Sequence, residues 1–216
     1  MFIDDLDSPR LGGQGILLFS GGADSTLLAH ALIRRGKRLI AVSVDYPGRP
    51  EMEIERARRI AARIGFDKHL TIGLGLPWRA QRGEPGGLNE GWFPHRNILF
   101  LAIALHVAEV EGGDFISAAY AKTDGIIFTD ATRDFMDQFA AMARMSSGNK
   151  GSAKAIDLFV PFFEKDEFFR VESRRYPELP TLMAETWSCW RNEAEPCGVC
   201  AACRERAYYF EAVAAK

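Results

Sequence analysis

Two short, unbroken apolar runs constrain the fold more than any other feature: Ile16-Leu17-Leu18-Phe19, and further along Leu39-Ile40-Ala41-Val42-Ser43-Val44. A strand with one face in water alternates apolar and polar residues. These runs do not, so each reads as a strand covered on both faces, which is the situation inside a parallel sheet. Between them, residues 26–35 set Leu27, Leu28, Ala31 and Leu32 at helical spacing, carry Arg34 and Arg35 in the last turn, and stop at Gly36. Glycine is the residue that ends a helix in the left-handed conformation without strain. The unit is strand, helix, strand.

The alternation continues. A helix over 51–64 puts Ile54, Ala57, Ile60, Ala61 and Ile64 on one face and ends at Gly65, and a strand follows near 69–72. A strongly apolar helix over 97–110, a strand over 115–119, a helix over 134–145, a short strand over 157–160 and a helix near 166–174 complete the series. This pattern predicts a doubly wound parallel α/β sheet, whose ligands lie at the carboxyl ends of the strands. Residues 73–94 and 146–155 break the rhythm with Gly, Pro, Ser and Lys and read as mobile functional loops. From Glu185 onward the chain changes character, with all four cysteines, two tryptophans and no strand signal. The expected division is therefore a nucleotide-binding body over 1–184 and a small cysteine tail over 185–216 packed on it.

Directly after Phe19, Ser20-Gly21-Gly22-Ala23-Asp24-Ser25-Thr26 leads into the first helix. A turn without side-chain bulk that faces the free amides of a helix N-terminus is an anion cradle. Gly21 and Gly22 allow close backbone approach, Ser20, Ser25 and Thr26 offer hydroxyls, and Asp24 is placed to hold Mg2+ beside phosphates. The lysine of a Walker loop and the dinucleotide pattern G-x-G-x-x-G are both absent, which argues against ordinary kinases and dehydrogenases.

The cysteines are spaced Cys189, Cys197, Cys200, Cys203, with Gly198 in the knuckle between the second and third. Four thiolates complete a tetrahedral Zn2+ shell, and a closed shell of this kind is structural because no coordination position remains for water or substrate. With 216 residues, 47% of them hydrophobic, the chain is long enough to bury about 70% of its unfolded surface, so the cysteines are not needed as staples for a deficient core. Disulfides are also disfavoured in the cytoplasm, where this chain is expected. Residues 1–10 are acidic and polar rather than export-like, and no run reaches the roughly 18 apolar residues of a membrane span. Lys and Arg number 27 against 29 Asp and Glu, a formal net charge of −2, so no overall positive field exists for stable nucleic-acid binding.

The segment Ser20-Gly21-Gly22-Ala23-Asp24-Ser25 resembles the S-G-G-x-D-S signature of the PP-loop ATP pyrophosphatases. Together with the cysteine array, Val44-Asp45-Tyr46, Pro94-His95-Arg96-Asn97-Ile98-Leu99-Phe100-Leu101 and Thr186-Trp187-Ser188-Cys189-Trp190, it is similar to the 7-cyano-7-deazaguanine synthase family over nearly the whole chain. The resemblance implies ATP with its β and γ phosphates in the turn, adenylation of 7-carboxy-7-deazaguanine with release of pyrophosphate, amide formation with ammonia, and dehydration to the nitrile. Relatives beside bacterial antiphage systems imply a second fate, in which the activated acyl group passes to a protein amine and the reaction stops at the amide. A noncatalytic ATP-binding zinc scaffold is the rival of another class, and a tRNA-modifying thiolase or amidase the rival within the superfamily. A homodimer stays open.

The chain departs from the family in three places. Pro47-Gly48-Arg49-Pro50 stands where the family has G-Q-R-H, and residues 125–133 stand where it has an S-G-Y-P-D-C-R stretch near the base. Lys165 follows Pro161-Phe162 at a shorter distance than the family lysine follows its P-L motif. Lys165 is expected to neutralise the departing pyrophosphate, and it joins Ser20, Asp24 and Ser25 in the catalytic set. Arg96 and Asn97 are expected to contact nucleotide, although Asn97 could instead cap its helix. Asp45 has two open roles, contact with adenosine or substrate, and a turn. Asp124 and Asp130 bind the base or Mg2+, or cap the following helix. Trp187 and Trp190 stack on a purine-like ring or pack on the cysteine knuckle. His30, His69 and His106 read as core or surface residues, and only His95 sits in a motif.

Overall fold

The computed structural model describes residues 2–3, 5–75, 93–146, 155–191 and 193–214. Six strands, β1 (Phe2–Ile3), β2 (Gln14–Leu18), β3 (Arg38–Asp45), β4 (Lys68–Gly73), β5 (Phe115–Ser117) and β7 (Asp157–Phe159), form one sheet in the order β1, β7, β5, β2, β3, β4. Every neighbouring pair is parallel, with Gly15 level with Leu39 on one side and with Phe115 on the other. The helices α1 (Ala23–Arg34), α2 (Glu51–Ile64), α3 (Arg96–Glu111) and α5 (Arg133–Ser146) supply the crossovers that parallel pairing demands.

The unbroken apolar runs are explained by what covers them. Ile16, Ile40, Val42 and Ile116 point to one face, where Leu101, Ala104, Met136 and Phe139 of α3 and α5 pack. Leu17, Leu39, Ala41 and Phe115 point to the other, against Leu28, Leu32, Ala57 and Ile60 of α1 and α2. Both helices end where a left-handed glycine was expected, Gly36 at φ 76° and Gly65 at φ 100°. The doubly wound parallel sheet is thus present as the pattern predicts.

Four features differ from the sequence expectation. The first helix begins at Ala23 rather than residue 26, because Gly22 is its extended N-cap at φ −77° and ψ 170°. The strand read over 115–119 breaks after Ser117, and Tyr120–Ala121 (β6) pairs with Phe162–Phe163 (β8) in a separate parallel ribbon. Asp124–Ile127 (α4) is a single turn. Beyond α6 (Lys165–Arg175) and α7 (Leu179–Ala184), the cysteine tail continues into a full helix, α8 (Ala201–Ala214). Tyr209 and Phe210 of α8 share a core with Leu27 of α1, Phe169 of α6 and Met183 of α7. Of the two stretches read as functional loops, residues 76–92 and 147–154 lie outside the described residues. Among the described residues no helix is long and apolar enough to cross a membrane.

α6 is fastened to α1 by an ion pair that is almost fully enclosed. Arg35 donates to both carboxylate oxygens of Glu172, at 3.0 and 2.9 Å, and Glu172 is 1% exposed. The bidentate geometry satisfies both oxygens, which is the condition for keeping a charge in the interior.

Candidate active site

The chain steps from β2 to β3 to β4 and then returns to place β5 on the other side of β2. That reversal opens a crevice beyond the carboxyl ends of β2 and β5, the place where open α/β sheets bind ligands. A cavity of about 630 Å³ lies there, with Ser20, Asp24, Arg96, Tyr120, Asp124 and Lys165 in its walls.

The turn after β2 is held by its own hydroxyls. The Ser20 N–H donates to Ser25 Oγ at 3.2 Å, the Gly22 N–H donates to Ser20 Oγ at 3.1 Å, and Ser25 Oγ donates to the Gly22 carbonyl at 3.2 Å. Gly21 is left-handed at φ 79°, and a Cβ there would fall 2.6 Å from the backbone nitrogen of Ala57 on α2. Only glycine fits the bend against that helix. Thr26 is fully buried behind the turn, its hydroxyl has no partner among the described residues, and it does not line the cavity.

Arg49 fastens the turn to the sheet. Its guanidinium donates to the carbonyls of Val44 and Ser20, the latter at 2.8 Å, and pairs with Glu53 at 2.9 Å, with the side chain 4% exposed. It also lies over the Tyr46 ring at 5.9 Å. The sequence offers only a departure from a family pattern at this point; a basic residue four positions before an acidic one in a helical turn was the available signal for a local pair.

Lys165, at the start of α6, is 8% exposed and reaches Asp24 at 2.9 Å, Glu205 at 2.8 Å and Asp124 at 4.0 Å. Burial pushes the Asp24 carboxyl up to about 6, and Asp124 adds to the rise while Lys165 opposes it. Burial likewise raises the Asp124 carboxyl, against the pull of Lys165 and the Ala121 N–H. For Lys165 burial works towards a lower value, but Asp24 and Asp124 outweigh it and hold the ammonium charged. A firmly charged cation among carboxylates whose ionisation is costly suits a site where phosphate charge develops.

Further round the cavity stand other expected residues. Arg96 and Asn97 open α3 and line the cavity, and Asn97 does not cap its helix. Asn97 is buried and its Nδ2 donates to Asp130 at 3.0 Å, so Asp130 supports this wall without lining it. The N-cap is His95, left-handed at φ 60°. Asp124 lines the cavity and accepts the Ala121 N–H at 2.8 Å. Tyr46, Phe100 and Tyr120 give this side flat apolar surface. Asp45 is not brought to the cavity: it is exposed at the end of β3, in a separate shallow depression with Gly73 and Leu74. Trp187 and Trp190 both line the cavity, and Trp187 also packs on the buried cysteines.

Cys189, Cys197, Cys200 and Cys203 are all free thiols, and their Sγ atoms lie within 4.8 Å of one another. One ion bonded to four sulfurs at 2.3 Å sets the sulfurs about 3.8 Å apart, and Cys197 and Cys203 stand at 4.0 Å. The N–H groups of Arg191 and Cys197 point at Cys189 Sγ, that of Cys200 at Cys197 Sγ, and that of Cys203 at Cys200 Sγ, each at 3.4 Å. Such donors stabilise thiolates, so the cluster fits a single metal ion.

Residues 14–214 match the family described as "Queuosine biosynthesis protein QueC". The chain belongs to the QueC family. Two relatives, the 7-cyano-7-deazaguanine synthases of Gloeothece citriformis (strain PCC 7424) and Microcystis aeruginosa (strain NIES-843 / IAM M-2473), are each 32% identical over 206 residues, covering 89% of this chain and 89% of theirs. The fold is similar to that of the U34-tRNA thiolase NcsA from Methanococcus maripaludis with its 4Fe-4S cluster, at a TM-score of 0.52 and 15% identity over 95% of this chain and 66% of that one. This last likeness concerns the fold alone.

Among the cavity residues of this QueC family member that escaped the sequence reading are Arg49, Glu53, Tyr120, Glu205 and Tyr209. The last two sit on α8, whose apolar residues do not recur at a helical period clear enough to announce it.

Proposed function

We propose that the chain activates the carboxylate of 7-carboxy-7-deazaguanine with ATP and converts it, by way of the amide, to the nitrile 7-cyano-7-deazaguanine. The observation that carries this reading is one cavity of about 630 Å³ that joins an amide-lined turn, a charged buried lysine and a wall of flat apolar surface with an arginine in it. That volume is within the range of small-molecule sites.

The β and γ phosphates rest on the amides of Gly21 and Gly22 and the first turn of α1, with the Ser20 and Ser25 hydroxyls beside them. A substrate carboxylate oxygen attacks the α-phosphorus, the bond to the bridging oxygen breaks, and pyrophosphate leaves. Lys165 faces the charge that appears on that leaving group, and an interaction strongest in the transition state accelerates the step. Arg96 and Asp124 orient the acid and the base, and Tyr46 and Tyr120 offer rings for stacking. Ammonia then attacks the acyl carbon and displaces AMP. The amide oxygen then attacks the α-phosphorus of a second ATP, pyrophosphate leaves again, and loss of AMP and protons gives the nitrile. Asp24 and Asp124 would be the carboxylates to hold an Mg2+ carried in with ATP, which would offset phosphate charge. Zn2+ is the ion we assign to Cys189, Cys197, Cys200 and Cys203, in a structural role.

Mass spectrometry after incubation with 7-carboxy-7-deazaguanine, ammonium and Mg-ATP tests the proposal. A product of nitrile mass with pyrophosphate release supports it. A product that stops at the amide, or appears as an adduct on a protein amine, replaces the last steps, and absence of any pyrophosphate release overturns the reading in favour of an ATP-binding scaffold.

A further inference from the structure

We infer that Glu205 and Tyr209 of α8 are positioning residues that aim the Lys165 ammonium at the phosphate turn; this rests on the ATP-activation reading above. Lys165 Nζ donates to Glu205 Oε1 at 2.8 Å, and the Tyr209 hydroxyl donates to the same oxygen at 2.8 Å. The Tyr209 ring lies 5.6 Å from Nζ, and Tyr209 is 7% exposed. Asp24 takes Nζ from another direction of the chain, on the first turn of α1, at 2.9 Å.

An ammonium has three N–H donors on a flexible four-carbon stem. Asp24 and Glu205 engage two of them, which leaves one for a phosphate oxygen. Asp24 belongs to the turn that receives the triphosphate, so its hold on the lysine is the one that the incoming anion disturbs. Glu205 comes from a helix outside that turn. It keeps Nζ in place while the charge moves, and Tyr209 fixes the oxygen that does so. The arrangement makes the tail a working wall of the site rather than an appendage, since the residue that aims the lysine arrives from the last helix.

Docking α8 on α6 is the purely structural alternative, and it predicts loss of stability without a change in turnover of the folded protein. The test therefore compares Glu205→Ala, Glu205→Gln and Tyr209→Phe in the full chain. Pyrophosphate release by Glu205→Ala is expected to fall about tenfold in kcat with the KM for ATP within about twofold, the signature of an interaction that matters in the transition state. Glu205→Gln, which keeps an acceptor oxygen, is expected to recover most of the loss, and Tyr209→Phe to lose about threefold. Lys165 reactivity towards reductive methylation, read by peptide mass spectrometry, is measured on the same proteins without ATP. It is expected to rise several-fold in Glu205→Ala and less in Tyr209→Phe.

A folded Glu205→Ala protein with wild-type kcat, or with wild-type labelling of Lys165, overturns the inference. If Glu205→Ala does not fold, Tyr209→Phe carries the same comparison, and wild-type kcat or wild-type labelling in that protein overturns the inference in the same way. If the wild-type protein releases no pyrophosphate, the activation reading falls, and the labelling by itself decides whether Glu205 and Tyr209 hold the lysine.

Discussion

The backbone N–H of Trp187 donates to the carbonyl of Gly21 at 3.2 Å, so the segment that leads into the cysteine cluster is pinned to the glycine turn after β2. Trp187 is 2% exposed, its indole N–H donates to the Cys189 carbonyl at 2.9 Å, and Arg56 lies over its ring at 5.9 Å. Cysteine, tryptophan and glycine form one continuous path.

Removal of the metal should therefore reach the nucleotide site. One zinc per chain is expected by elemental analysis, and Cys200→Ser, at a fully buried cysteine, should abolish it. Because binding free energy at a structural metal site is folding free energy, the loss of stability should be about 3 kcal/mol or more. Calorimetric titration of the folded fraction should show ATP binding weakened about tenfold, the scale of supporting-shell losses. Intact ATP affinity in zinc-free protein would disconnect the two sites.

Gly21→Ala tests the turn directly. The left-handed φ of 79° and the 2.6 Å approach to Ala57 penalise any side chain there. A cost of about 2 kcal/mol in stability is expected from the backbone conformation. ATP binding should be lost, because the turn has to open to relieve the contact.

Arg49→Met leaves the carbonyls of Ser20 and Val44 without their charged donor and Glu53 without its partner. Denaturant unfolding should register about 2 kcal/mol, the cost of an unmade buried hydrogen bond to a charged group. Arg49→Lys cannot reproduce the fork that spans two carbonyls and should recover less than half of that loss.

Acidity should act on Asp24 in two opposite ways. Its carboxyl is raised by burial from 3.8 to about 6, so the folded chain holds this proton more tightly than the unfolded chain does. The folded state binds the extra proton between those values, and the Asp24 contribution to stability must fall as pH rises through that window, with no further change above it. The ionised form is the one that pairs with Lys165, so kcat/KM for ATP should decline as pH drops through about 6. In Asp24→Asn the downward slope of stability between about pH 4 and 6 should become shallower, a change that urea titrations across that range can measure.

The Arg35–Glu172 pair offers a control away from the cavity. Glu172→Ala removes the bidentate partner of Arg35, itself 1% exposed, and leaves the guanidinium with the exposed Asp7 carboxylate at 3.3 Å and the Ala31 carbonyl. The melting free energy should fall by about 3 kcal/mol while kcat of the folded protein stays unchanged.

By itself the sequence determined the features whose information is local. Unbroken apolar runs require two covered faces, Gly36 and Gly65 require a left-handed stop, and the order Ser20 to Thr26 after a buried strand makes an amide-lined turn wherever the rest of the chain lies. The cysteine spacing is also local, because Cys197, Cys200 and Cys203 share one knuckle. Strands of two residues, such as β1, β6 and β8, are too short to carry a period and stayed hidden. Only the tertiary structure decided which strand lies beside β2, and with it the crevice that holds the cavity. It also decided that Lys165 meets Asp24, that Asn97 holds Asp130, that Asp45 stands apart from the cavity, and that α8 sends Glu205 to the lysine. Each of these depends on which surfaces pack together, and packing joins residues through shape and burial across distances along the chain that no local pattern spans.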